Sequence, residues 1–141
     1  MKVLIDTCVI VDFLQDRKPF SDKAREILLF AAADAFSGFI TAKSATDIYY
    51  LTRRCTHSDK ESRSKLNRLL TVIGMLDSTA DDVFRALSSD ISDFEDAVMI
   101  ESATRSGVDC IVTRNIKDYG KSAVPVYTPE QFSDMLKKQM Q

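Results

Sequence analysis

Short, wholly apolar runs alternate along this chain with stretches whose apolar residues recur every three to four positions. Residues 3–5 (Val3, Leu4, Ile5) predict a short strand buried on both faces, and residues 8–14 a short helix ended by the polar stretch Gln15-Asp16-Arg17-Lys18-Pro19. Ser21 is placed to cap a helix running to about residue 33, with Ala24, Ile27, Leu28 and Ala31 on one stripe. A brief strand over 38–41 and a helix over about 44–54 follow. Ser58-Asp59-Lys60-Glu61 has the form of a capping box, and its helix turns Leu66, Leu69, Leu70 and Ile73 inwards and Lys60, Arg63 and Asn67 outwards.

Residues 72–76 fit either the end of that helix or a strand. Gly74 and the polar Asp77-Ser78-Thr79 favour the strand. A helix is expected over about 80–87. A second box, Ser92-Asp93-Phe94-Glu95, opens a helix that stops at Gly107. Strands at 110–113 and 124–127 and a helix behind Thr128-Pro129-Glu130-Gln131, a box with proline at the first helical position, complete the series. Strands that are apolar throughout and alternate with helices predict a mainly parallel sheet with helices on both faces, a three-layer α/β/α sandwich. The 141 residues suffice for one core, so a single domain over 1–141 is expected.

Composition removes several function classes. Apolar residues make up 45% and charged residues 28%, and no run approaches the roughly 20 apolar residues a membrane span needs. The start, Met1-Lys2 leading straight into the first strand, is too short and too soon acidic for a signal peptide, so a cytoplasmic protein is expected. Cys8, Cys55 and Cys110 form no Cys-x-x-Cys pair and read as small core residues; the only histidine, His57, lies in a polar stretch. A net charge of −2 argues against coating nucleic acid through bulk positive charge. The cations are nonetheless grouped: Arg53 and Arg54, then Lys60, Arg63, Lys65 and Arg68, either a solvated helix face or a ridge that meets phosphate.

The acids carry the chemistry. Asp6 follows the first strand, where open α/β sheets build their sites, although a helix cap is the simpler use of that position. Asp96 has Met99, Ile100 and Ala103 at i+3, i+4 and i+7, which puts it on or beside the inward stripe with no lysine or arginine within one turn. Asp93 lies three residues earlier in the first turn, as a ligand or merely a dipole-favoured acid. Glu95 is assigned to the capping box and left out of the site. Asp47 borders an apolar surface through Tyr50 and Leu51, and Asp118 fits a turn.

Two carboxylates about 5 Å apart repel by roughly 3 kcal/mol at an effective dielectric of about 20, so several together need protons or a cation. Oxygen donors without cysteine or histidine suit Mg²⁺ or Mn²⁺. Such ions favour phosphate chemistry, and phosphodiester hydrolysis becomes the leading expectation.

The segments Val3-Leu4-Ile5-Asp6-Thr7, Ser44-Ala45-Thr46-Asp47-Ile48-Tyr49-Tyr50-Leu51, Asp93-Phe94-Glu95-Asp96-Ala97 and Ile111-Val112-Thr113-Arg114-Asn115, with the closing Val126-Tyr127-Thr128-Pro129, resemble in order and spacing the PIN-domain ribonucleases, which include the VapC-type toxins of bacterial toxin–antitoxin pairs. What the resemblance implies is a PIN-like α/β/α sandwich, often a homodimer, that cuts RNA with Mg²⁺ or Mn²⁺. By position, Asp6 and Asp96 match the central metal ligands, Asp47 stands where many members carry glutamate, and Asn115 stands where many carry a fourth aspartate. Asp93 or Asp118 would restore the missing charge. Thr113 matches the hydroxyl that orients a ligand or water, and Arg114 faces phosphate or the surface.

The expected mechanism is in-line attack by a water activated at the ion, with Asp96 or Asp6 assisting its deprotonation, to leave a 5′-phosphate. On this reading Asp6, Asp47 and Asp96 are catalytic, Asp6, Asp96, Asp93 and Asp47 hold the ion, Thr113, Asn115 and Asp118 support them, and Arg53, Arg54, Lys60, Arg63 and Arg114 meet RNA. A small antitoxin protein would occlude the crevice. The alternative is a catalytically degenerate PIN fold that binds RNA or protein. A haloacid-dehalogenase-type phosphatase needs an acid where Cys8 stands, and a receiver domain needs an acidic pair beside Asp6 and a lysine near Tyr127.

Overall fold

In the computed structural model, which describes residues 1–141, the apolar runs do become strands and the periodic stretches helices. The order is β1 (Lys2–Ile5), α1 (Thr7–Leu14), α2 (Ser21–Ala32), β2 (Ser37–Thr41), α3 (Ala42–Thr56), α4 (Asp59–Leu69), β3 (Gly74–Leu76), α5 (Ala80–Leu87), α6 (Phe94–Ser106), β4 (Cys110–Val112), a 3-10 turn at Ile116–Tyr119, β5 (Val126–Tyr127) and α7 (Pro129–Gln139). The five strands lie in the order β3-β2-β1-β4-β5, and every pairing is parallel. The expected mainly parallel sheet is therefore parallel throughout.

Strand order explains where a site can form. From β1 the chain first builds outwards through β2 and β3, then crosses back to lay β4 and β5 on the other side. At the carboxyl ends of β1 and β4 the connections diverge to opposite directions, and this divergence opens a crevice. Asp6 follows β1 and Thr113 follows β4, and Ile5 pairs with Val112 just below them.

The period of two sorts the strand residues between the layers. Val3, Ile5, Ile40, Cys110 and Val112 pack on one face with Val9 and Ile10 of α1, Ala24 and Ile27 of α2, Ile48 of α3 and Phe132 and Leu136 of α7. Leu4 and Ile111 point to the other face, against Met99, Ile100 and Ala103 of α6 and Tyr119. Burial of Leu4 or Ile111 contributes about 1.5–3 kcal/mol each. No helix is long and apolar enough to cross a membrane.

Several caps differ from expectation. Ser21 lies inside α2, whose N-cap is Phe20, and its buried hydroxyl has no partner. The N-cap of α6 is Asp93, not Ser92: its carboxylate accepts the Asp96 N–H at 3.0 Å because the chain enters the helix one residue later than expected. Ser58 accepts from the Glu61 N–H as expected, but Glu61 faces Lys65 and the Ser58 N–H goes to Thr56 Oγ1. The Thr128–Gln131 box forms in full, and a further one, Thr79–Asp82, opens α5. Gly107 closes α6 at φ +65°, the left-handed conformation its missing Cβ permits. Cys110 is buried and Cys8 half-buried, but Cys55 is exposed because it falls on the outer side of α3.

Candidate active site

Asp6 tests the simpler reading directly. It occupies the N-cap position of α1, yet its side chain caps nothing. Instead Oδ2 accepts the Thr113 hydroxyl at 2.7 Å and lies 3.4 Å from the Cys8 thiol. Thr113, fully buried behind β4, also accepts the Asn115 N–H at 3.1 Å, so one hydroxyl ties the ends of two strands together. This buried carboxylate is held by one hydroxyl and one thiol, with no cation beside it, and it lines the crevice.

Asp96 faces it from the first turn of α6. The Tyr119 hydroxyl donates to Asp96 Oδ1 at 3.0 Å. Burial, with the nearby charges of Asp6, Asp93 and Asp118, outweighs that bond and pushes the Asp96 pKa up to about 6. Tyr119 is held neutral by burial and by the same two acids, so it remains a donor. Neither Asp6 nor Asp96 is paired with a lysine or arginine among the ion pairs of the molecule. Burial and Asp6 push the Cys8 thiol up to about 12, which rules it out as a nucleophile at neutral pH.

The crevice, of about 310 Å³, is lined by Asp6, Asp47, Glu95 and Asp96 together with Lys43 and Arg54. Three of the expected acids, from β1, α3 and α6, thus meet in one place. Glu95, assigned by sequence to a capping box, is free of that duty because Asp93 caps the helix, and it belongs to the crevice. Lys43 was also not foreseen. Its ammonium lies 2.6 Å from Asp47 and 3.3 Å from Glu95. Burial lowers the Lys43 pKa, but the hydrogen bond to Asp47 and the charges of both acids outweigh it, and the group stays cationic. The i, i+4 spacing of Lys43 and Asp47 was legible, whereas nothing in the sequence pairs Lys43 with Glu95.

The remaining expected residues divide. Asp93 spends Oδ1 on its cap and does not line the crevice. Asp118 and Asn115 are exposed beside it, and Asp118 is close enough to raise the Asp96 pKa. Of the expected RNA contacts only Arg54 lines the crevice. Arg53 lies in the last turn of α3, Lys60 is exposed on α4, and Arg63 pairs with Asp59 at 2.9 Å. Arg114 points elsewhere: it grips the buried Asp12 at 2.6 Å and stacks on the Phe20 ring at 3.9 Å, so its guanidinium lies outside the crevice lining.

The carboxylates of the crevice offer oxygen ligands, and the Cys8 thiol beside Asp6 stays protonated, which suits a hard divalent cation. No three acidic, cysteine or histidine side chains converge closely enough to enclose an ion. The arrangement fits Mg²⁺ or Mn²⁺ held by two carboxylates and otherwise by water or phosphate, and it does not fit a cage made by the protein alone.

A parallel α/β protein with an acidic crevice at its switch point is the class these features define. The PIN domain family profile matches residues 2–117, and the chain belongs to that family. Among solved structures, VapBC2 from Rickettsia felis bound to a DNA fragment from its promoter is similar, with a TM-score of 0.68 and 17% identity over 91% of this chain and 98% of that one. The Mycobacterium tuberculosis toxin VapC20, described as cleaving the sarcin-ricin loop, has a TM-score of 0.61 and 16% identity over 77% of this chain and 86% of its own. PAE2754 from Pyrobaculum aerophilum has a TM-score of 0.64 and 19% identity over 99% and 91%. At these identities the likeness is one of fold. No curated protein matches the chain in sequence.

Proposed function

We propose that this protein is a metal-dependent endoribonuclease acting in the cytoplasm, the toxin of a toxin–antitoxin pair. The observation that carries the reading is the convergence of Asp6 and Asp96 in one crevice without a basic partner for either. Family membership supports it, as does the description of VapC20 as a toxin that cleaves the sarcin-ricin loop.

Asp6 and Asp96 would hold Mg²⁺ or Mn²⁺, and the ion would supply charge neutralisation at the phosphoryl oxygens and a more acidic water. The protein's own groups do the rest. Thr113 fixes the Asp6 carboxylate, and Tyr119 fixes that of Asp96. Lys43 and Arg54 meet the entering phosphodiester from the wall of the crevice, and a carboxylate oxygen of Asp96 or Asp6 accepts a proton from the attacking water as the 3′-oxygen leaves. An antitoxin protein covers the crevice in the inactive complex, a partner supported by the toxin–antitoxin complexes that share this fold. The protein pairs as a homodimer, and the exposed Val83, Phe84 and Leu87 of α5 offer the apolar face for it.

Asp6→Asn and Asp96→Asn each abolish Mn²⁺-dependent cleavage of RNA while circular dichroism stays that of the folded chain. Retained cleavage in both purified variants sinks the proposal. The capture of Asp47 by Lys43 favours one second reading, a PIN fold that binds RNA without cutting it. Mn²⁺ calorimetry separates the two, since the non-cutting protein binds no ion at Asp6 and Asp96.

A further inference from the structure

The crevice sets its acids against two cations of its own. Four carboxylates line it, and only Lys43 and Arg54 oppose them, so two negative charges remain, the charge that a single divalent cation cancels. The four acids also divide in space. Asp6 and Asp96 are held by hydroxyls and lack any cation, while Asp47 and Glu95 share one ammonium. Lys43 bridges α3 to the first turn of α6 and sits where an ion shared by Asp47 and Glu95 would have to lie.

We propose that Lys43 is a built-in second cation of this site: it takes with its side chain the place of a second metal ion between Asp47 and Glu95, so that the chain loads one divalent ion. The inference rests on the nuclease reading and specifies its metal requirement. Catalysis at phosphodiesters commonly uses two cations, one at the attacking and one at the leaving oxygen. Here the second is an ammonium. A compact point charge with three donors suits a phosphoryl or leaving oxygen, and it needs no loading from solution.

The exposure of the trio allows this use. The side chains of Lys43, Asp47 and Glu95 are 40%, 37% and 75% exposed, and ion pairs in that setting are weak. Lys43 can exchange its carboxylates for a phosphate oxygen without leaving a buried charge behind. Asp47 accepts from the lysine one turn away on its own helix.

Calorimetric titration of the full-length, metal-free protein with Mn²⁺ tests the assignment. The wild type is expected to take up one ion per chain, lost in Asp6→Asn. Lys43→Ala, at a half-exposed position that the core does not need, frees Asp47 and Glu95 and takes up two. Lys43→Arg keeps one, and Asp47→Asn with Glu95→Gln added to Lys43→Ala returns the count to one. RNA cleavage by Lys43→Ala should fall at least tenfold at low Mn²⁺ and recover as the second ion binds, with the metal dependence rising from first to second order. Two ions in the wild type, or one ion in Lys43→Ala, overturns the role of Lys43 and leaves the nuclease reading intact. No ion in the wild type overturns both.

Discussion

Asp96 is where electrostatics and stability meet most directly. Its ordinary pKa of 3.8 rises to about 6 in the fold, so between those values the folded state holds a proton that the unfolded state has released. Stability therefore falls as pH rises through that window and levels off above about 6. After discounting for the partial exposure of the group, the penalty at neutral pH is about 1–2 kcal/mol. Asp96→Asn removes it. Thermal melts of the metal-free protein should show the variant a few degrees more stable at pH 7.5 and flatter than the wild type between pH 4 and 6.5. A variant that melts lower with an unchanged pH slope contradicts the account. Mn²⁺ should raise the melting temperature of the wild type and leave that of Asp96→Asn unchanged. Asp6, Asp47 and Asp96 were legible in the sequence because each follows a strand or borders a helical stripe. Lys43 left no such signal, because it is remote from Asp96 in sequence and its link to Glu95 crosses between two helices. Tyr119 left no signal, since it lies in a 3-10 turn whose aim depends on how β4 exits the sheet.

The elements were legible in type and nearly in extent, because wholly apolar strands and 3.6-period helices differ in pattern over even four or five residues. Caps were less so: Ser92 and Asp93 are both good capping residues side by side, and only the path of the preceding chain selects between them. Arg114 shows the limit at this scale. Its neighbours in sequence point to the crevice, but its side chain crosses to α1, where Asp12 is 1% exposed. Arg114→Ala leaves that carboxylate buried and unpaired, and chemical denaturation should show a loss of about 3 kcal/mol, whereas the KM for RNA should stay put. A raised KM with unchanged stability returns Arg114 to the substrate. Helix α5 repeats the logic with Asp82, which accepts from the Thr79 N–H, Ser102 and Arg105. Burial raises the Asp82 pKa, but these donors outweigh it and bring it to about 2, so its contribution is present above pH 3.8 and is lost as pH falls towards 2. Asp82→Ala removes both the cap and the anchor of α5 to α6. A cost of about 2–4 kcal/mol in urea unfolding is expected at pH 7, shrinking as the wild type is itself acidified towards pH 2.

At the scale of the whole molecule, α5 is turned inside out. Its polar Asp82 and small Ala86 face α6, while Val83, Phe84 and Leu87 face solvent, with Phe94 exposed at the start of α6. An amphipathic helix normally buries its apolar stripe, and this one instead buries a carboxylate satisfied by three donors. The inversion leaves a surface rich in phenylalanine and leucine, the composition that a second copy can cover and that a monomer in water seldom shows. A two-fold pairing would set like against like, Phe84 near its own symmetry mate, so one substitution strikes the interface twice. Phe84 is 67% exposed, so Phe84→Glu costs the isolated fold little, yet it places two carboxylates in an apolar contact. Light scattering coupled to gel filtration should give a dimer for the wild type and a monomer for Phe84→Glu at equal concentration, with unchanged circular dichroism. A wild type that elutes as a monomer up to high concentration would sink the pairing. A Phe84→Glu protein that remains dimeric would move it to another face.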